Sequence, residues 1–277
     1  MSIEHTEVEH TAAGGTLSQS ESLAPRHAEY LRVRGVSRVT AEAAGYRTAS
    51  RPSEVPRAFS DGQRRNTPAL IAPHLSPSGA TGYQKRDDYP RKDHRTGRTA
   101  KWVSPPGERC RPVLSVHPWA MDEAKTGTGP LWIPEGITRG HALAERGIAA
   151  VSYAGAWTWQ KDGKPLECFD HLNLNGRLVY DVPDADYRTN ENVQKALAKR
   201  VAFLVSRGAR VLVVSVPQVN GDPCAGLDDY LAAGGDLDEL LRNAAPFVPA
   251  NVGRERLSRN ETLRRGIAVV SRNADAL

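Results

Sequence analysis

Glu135-Gly136 and Asp184-Ala185-Asp186 each follow a short apolar run that reads as a strand, with two strand-and-helix steps between them. In an open parallel sheet, reactive groups gather at the carboxyl ends of the strands, so one edge can carry all three carboxylates. Three carboxylates within a few Å of one another repel at roughly 4 kcal/mol per close pair near a protein surface. Such a cluster asks for Mg²⁺ or Mn²⁺ among its members and marks a working site. Alternate residues of an extended segment point the same way, so Asp184 and Asp186 can share one metal or split two. Gly136 lets the backbone turn tightly beyond the glutamate. Asp228 and Asp229 follow a loop containing Gly221 and Gly226 and can return acidic side chains to the same edge, although Asp228 reads equally well as a helix N-cap between core residues Leu227 and Leu231. Alone, Glu135 is a solvated strand end and Asp184-Ala185-Asp186 an Asx turn. Their order along the chain favours the metal.

The elements that must position these groups alternate after the Thr126 to Gly129 break, with strands expected at 131–134, 148–153, 177–183 and 210–216. That pattern predicts a parallel α/β sheet. Before the last strand, Val193, Ala196, Leu197, Val201, Leu204 and Val205 make one apolar helix face, which Asn190 can cap and Gly208 can end. A final helix is expected at 236–243. Upstream, the stretches from Pro25 to Gly35 and from Ser37 to Gly45 read as two short helices. Residues 68–72 and 81–85 flank Pro77-Ser78-Gly79 as a β-hairpin. The segment from Lys85 to Lys101 is the most basic of the chain, with Tyr89 inside it and Trp102 just beyond. Trp157 and Trp159 read as core packing beside the second strand.

The expected organisation is a disordered leader at 1–24, a small α+β module at 25–125, the parallel-sheet domain at 126–245 and a basic extension at 246–277 with a possible strand at 266–270. The 277 residues suffice for two modules, and a formal charge of +5 fits a polyanion partner without requiring one. Cys110, Cys168 and Cys224 never form a Cys-x-x-Cys pair, which excludes a zinc ribbon or a disulfide framework and points to a reducing, cytoplasmic setting. No apolar run reaches the length of a membrane span.

Leu131-Trp132-Ile133-Pro134-Glu135-Gly136, Gly176-Arg177 leading to Asp184-Ala185-Asp186, and Gly226-Leu227-Asp228-Asp229-Tyr230-Leu231 resemble the toprim-type domain of plasmid and phage primase-helicase proteins. Residues 68–105, with Tyr83-Gln84-Lys85-Arg86, Asp88-Tyr89-Pro90-Arg91 and Lys101-Trp102, resemble the segment that precedes that domain. The resemblance implies a toprim-like parallel sheet flanked by helices and Mg²⁺-dependent chemistry on phosphodiesters. Glu135 would act as general acid/base or metal ligand, with Asp184 and Asp186 as ligands supported by Asp228 and Asp229. Lys85, Arg86, Arg91 and Arg139 are the candidates for phosphate contacts. The function implied is a primase-like nucleotidyltransferase using nucleotide triphosphates on DNA, most naturally single-stranded, in plasmid or phage replication. Without a Gly-x4-Gly-Lys-Ser/Thr loop, a helicase would be a separate chain. Several positions depart from the family's pattern: Pro134 and Pro183 directly precede the acids, Arg139 stands where lysine is frequent, His141 where an acid is frequent, and Cys224 where the loop often has lysine. A toprim nuclease using the same carboxylates, and a catalytically inactive DNA-binding replication adaptor, are the alternatives.

Overall fold

The computed structural model describes residues 23–92, 97, 99–222 and 225–248. The expected leader, apart from Leu23 and Ala24, the 266–270 strand, the basic extension beyond residue 248, and Cys224 lie outside the described residues. Leu23 is itself part of the core, so the N-terminal module includes it ahead of Pro25.

Helices α1 (Pro25–Arg32) and α2 (Arg38–Ala43) form the predicted hairpin, with Gly35 at φ +73° in the turn and the Ser37 side chain accepting from the Thr40 N–H. Strand β1 (Arg47–Ala49), short helix α3 (Asp61–Arg64) and the hairpin β2 (Ala69–Leu75) and β3 (Thr81–Asp87) follow, giving an antiparallel sheet in the order β1-β2-β3. Leu31, Tyr46 and Leu70 bury their side chains together with Ala142, which comes from the second half of the fold.

That half contains β4 (Ser115–Val116), α4 (Met121–Thr126), β5 (Leu131–Pro134), α5 (Ile137–Ala144), β6 (Val151–Ser152), the small hairpin β7 (Gln160–Lys161) and β8 (Lys164–Pro165), β9 (Leu178–Val182), α6 (Glu191–Ser206), β10 (Arg210–Val213), α7 (Leu227–Ala232) and α8 (Leu237–Arg242). Strands β10, β9 and β5 are parallel neighbours, with Pro134 opposite Val182 and Val213 opposite Asp181. The segment expected as a strand at 148–153 is shorter. It follows β5 through the parallel bridges Trp132–Ala150 and Glu135–Tyr153, while β6 turns its other edge to antiparallel β4. Side chains alternate across the sheet: Leu131 and Ile133 pack with Phe169 and Leu204 on one face, and Trp132 packs with Leu143, Leu227 and Leu231 on the other. Helices therefore cover both faces, as the strand-helix alternation predicts. Each fully buried Leu or Ile in these clusters contributes about 1.5–3 kcal/mol.

Helix α6 starts where expected, with Asn190 Oδ1 accepting from the Asn192 and Val193 N–H groups, and ends before Gly208 at φ +87°. Its buried face differs from the predicted one. Val205 is exposed, and Arg200 lies in the face at 1% exposure, because Asp181 of β9 accepts two hydrogen bonds from it. Trp159 is core as expected, whereas Trp157 sits in a turn and donates to Asn192. Pro134 closes β5 and Pro183 follows the end of β9, so neither removes a hydrogen bond from a strand interior.

Candidate functional site

Glu135 and Asp184 stand just past the carboxyl ends of the adjacent parallel strands β5 and β9. The Glu135 N–H donates to Val182 O, which locks the two strand ends together. Gly136, at φ +96°, then reverses the chain into α5. Asp184 has extended backbone (φ −62°, ψ 157°) and leads into a 3₁₀ turn at Ala185–Arg188. The Ala185 N–H donates to Ala225 O, drawing the loop before α7, and with it Asp228, to the same edge.

This geometry corrects the expectation that Asp184 and Asp186 point the same way. The alternation rule applies to extended chain, and the 3₁₀ turn replaces it here. Asp184 faces the cavity at the strand ends, whereas Asp186 turns toward α6, where its Oδ2 accepts from Asn190 Nδ2 at 3.0 Å. Asp228 and Asp229 arrive at the expected edge with other partners. Asp228 is 3% exposed; its Oδ1 accepts from Arg139 Nε at 3.0 Å and its Oδ2 from Thr138 Oγ1 at 3.3 Å, with Arg34 Nε 3.7 Å from Oδ2. It is not the cap of α7, since Gly226 holds that place and donates its N–H to Asp229 Oδ2 at 3.1 Å.

Arg139, one turn into α5, links these groups. Its Nη1 donates to Glu135 O at 2.6 Å, and its Nη2 lies 3.1 Å from Asp184 Oδ1. That last contact is an ion pair out of line for a hydrogen bond, so Asp184 Oδ1 is buried without a donor, as is Glu135 Oε2. Burial opposes the charge of Arg139, but Asp228, then Asp184 and Glu135, outweigh it and hold the guanidinium firmly protonated. Beneath Glu135, the buried Arg200–Asp181 pair adds a second cation, and the Arg200 guanidinium lies 4.3 Å from the centre of the Tyr153 ring.

The cavity measures about 320 Å³. Its opposite wall comes from the first half of the fold, with Tyr30, Arg34, Arg86, Lys101 and Trp102 facing the carboxylates. Of the basic residues singled out from the sequence, Arg86 and Arg139 line it and Arg91 is exposed outside it. Lys85 is a correction. It is 0% exposed, donates to Asn66 O at 3.1 Å and is ion-paired with Asp87, because the inner face of β3 turns it into the fold. Arg34 and Thr138 were not legible as site residues, since nothing local in the sequence brings either of them to Asp228 of α7. Lys101 was legible only as part of a basic run.

Among the described residues, no three His, Cys, Asp or Glu side chains form a ready metal cage. The donor chemistry nevertheless fits one divalent cation, since two buried carboxylate oxygens lack any donor and Mg²⁺ is commonly held by one or two carboxylates, its other positions left to water and phosphate. Burial pushes Glu135 up, against the pull of Arg200 and Arg139 and with Asp186 and Asp181 adding to the rise, and it pushes Asp184 up to about 8, against Arg139 and with Glu135, Asp228 and Asp186 adding to the rise. An aspartate with a folded-state pKa above its unfolded value near 3.9 weakens the fold as pH rises toward 8. Burial holds His74 down to about 4, His141 down to about 3, and His117 below its ordinary value, so they weaken the fold as pH falls below about 6.5. In chelator, thermal melts should therefore show greatest stability near pH 6.5. Asp184→Asn should flatten the decline between pH 6.5 and 8; an unchanged decline would exclude Asp184 as its source.

The profile of a family described as "Domain of unknown function (DUF3854)" matches residues 119–237. No curated protein sequence matches the chain. Among solved structures, the chain is similar to the zinc-binding and RNA polymerase domains of the Aquifex aeolicus primase, with 18% identity and a TM-score of 0.53 over 80% of this chain and 56% of that one. It also matches the RNA polymerase domain of Mycobacterium tuberculosis primase DnaG, in complex with a double-stranded DNA oligomer with a 6-nucleotide overhang, with 17% identity and a TM-score of 0.49 over 79% of this chain and 73% of that one. The chain thus spans little more than half of the solved Aquifex chain, and at this identity the likeness is one of fold. No helix among the described residues is long and apolar enough to cross a membrane.

Proposed function

We propose, from the fold shared with the Aquifex primase domains, that this chain is a cytoplasmic, Mg²⁺-dependent, primase-like nucleotidyltransferase acting on DNA in plasmid or phage replication. One observation carries the reading: the strand ends of a primase-like sheet place two donor-free carboxylate oxygens, of Glu135 and Asp184, in a cavity whose facing wall is basic. Glu135 and Asp184 would hold the divalent ion, with Asp186 supporting the turn. The ion would neutralise triphosphate charge and orient the oxygens exchanged at phosphorus. Arg34, Arg86 and Lys101 face that position and bind phosphate oxygens, while Arg139 keeps Asp184 and Asp228 in place. Residues 25–125 would form the nucleic-acid-facing module and 126–245 the toprim-like domain, with the cavity drawing on both.

The test incubates the full chain with single-stranded DNA, labelled nucleotide triphosphates and Mg²⁺ or Mn²⁺, beside Glu135→Gln, resolving extended and shortened products. New oligomers made by wild type and not by the variant support the primase reading. Shortening alone replaces it with a nuclease using the same carboxylates. DNA binding by both proteins without any reaction replaces it with a replication adaptor, a reading favoured by the arginine already engaged with the carboxylates.

The salt dependence of DNA binding separates the basic residues. Four or five single-strand phosphates in contact give a slope of log K against log salt of about −3. Arg86→Ala should make that slope shallower by about 0.7, whereas Lys85→Met, at a buried and paired position, should leave it unchanged in whatever fraction folds. Equal changes for both would remove Arg86 from the binding surface.

A further inference from the structure

Arg139 is held on three sides at once, by Glu135 O, Asp228 and Asp184. Its guanidinium occupies a slot made by two glycines, since a Cβ built at either Gly136 or Gly226 would collide with it. Those are the glycines of the two motifs that flank the site, Glu135-Gly136 and Gly226-Leu227-Asp228. The slot consumes carboxylate capacity. Asp228 accepts from Arg139 and Thr138 and lies 3.7 Å from Arg34 Nε, Asp229 accepts from the Gly226 N–H, and Asp186 accepts from Asn190. Buried at the strand ends are one oxygen of Glu135 and one of Asp184 that accept no hydrogen bond, the latter standing 3.1 Å from Arg139 Nη2.

Two-ion phosphoryl-transfer sites place their cations about 3.5–4 Å apart and need carboxylates to bridge both. Here Asp228, the buried acid that would hold a second ion, is tied to a side chain already carrying positive charge. We propose that Arg139 is the built-in second cation of this site, so that the chain takes a single divalent ion, on Glu135 and Asp184, and Arg139 supplies fixed positive charge where a second ion would stand. The inference rests on the metal-dependent reading given above and refines it. An arginine in that place is always charged and needs no free metal, whereas lysine offers a point charge with no planar fork to span two carboxylates and a carbonyl.

The test counts Mn²⁺ per full-length chain by equilibrium dialysis and electron paramagnetic resonance, without nucleotide, for wild type, Arg139→Gln, Arg139→Lys and Asp184→Asn. One ion per wild-type chain, one in Arg139→Lys, two in Arg139→Gln with the spin-coupled signal of a neighbouring pair, and none in Asp184→Asn is the expected pattern. Two ions in wild type, or one in a folded Arg139→Gln, would overturn the role of Arg139 while leaving the metal site standing. No ion in wild type would overturn the metal reading itself. Should Arg139→Gln fail to fold, Arg139→Met, which removes the same charge, takes its place in the count: two ions support the role of Arg139 and one overturns it.

Discussion

Asp184→Asn should reduce nucleotidyl transfer by about 10²–10³, the loss typical of removing one preorganised charge-stabilising group, equivalent to about 3–4 kcal/mol of barrier. The exchange is isosteric and removes only the negative charge that would hold the ion at the end of β9. Asp186→Asn should cost less, about 10- to 100-fold, as befits a residue acting through another, because its carboxylate braces Asn190 and the start of α6 away from the cavity. The same Asp184→Asn protein should be more stable than wild type at pH 8 in chelator, since it no longer buries a charge whose Oδ1 lacks a donor. Single-turnover extension assays with calorimetric melts of each variant check both halves. Equal losses for the two aspartates would mean that Asp186 swings into the cavity on binding. Lost activity with lost stability would mean that Asp184 holds the fold together.

Arg200→Ala should be the most damaging single change to the fold. The Arg200–Asp181 pair is 1% and 0% exposed and doubly hydrogen-bonded, at 2.7 and 2.8 Å. Removing one partner strands a buried aspartate inside a parallel strand, at about 3–5 kcal/mol, or roughly 6–20 °C in Tm for a domain of 150–250 residues. Asp181→Ala should do similar harm by stranding the guanidinium. The double variant Arg200→Met/Asp181→Val should recover most of the stability, because apolar replacements of similar volume leave no unpaired charge. Its activity should stay low. Arg200 is the first of the charges that offset the burial of Glu135, and without it Glu135 holds its proton to still higher pH. Thermal melts of the three proteins decide the matter. Single and double variants of equal stability would show that the pair contributes packing alone.

The two sides of the cavity differ in how far they could be read in advance. Local chemistry determined the parallel-sheet side: apolar runs of strand length, Asn190 and Gly208 bounding α6, Gly136 after a strand, and prolines placed where a strand can end. Those signals span a few residues each, so the sequence alone determined the alternating α/β order and the strand-end position of Glu135 and Asp184. Tertiary structure decided everything that depends on which side of an element faces which neighbour. Asp186 left the cavity because the chain enters a 3₁₀ turn at Asp184, and Lys85 left it because the inner face of β3 is buried. Arg34 entered it because the turn after α1 brings its guanidinium to 3.7 Å from Asp228, almost two hundred residues along the chain. Arg200 looked like an interruption of an apolar face and Asp181 like a charge lodged in a strand. Each is tolerable only opposite the other, and burial of a charge is a property of the pair that neither segment carries by itself.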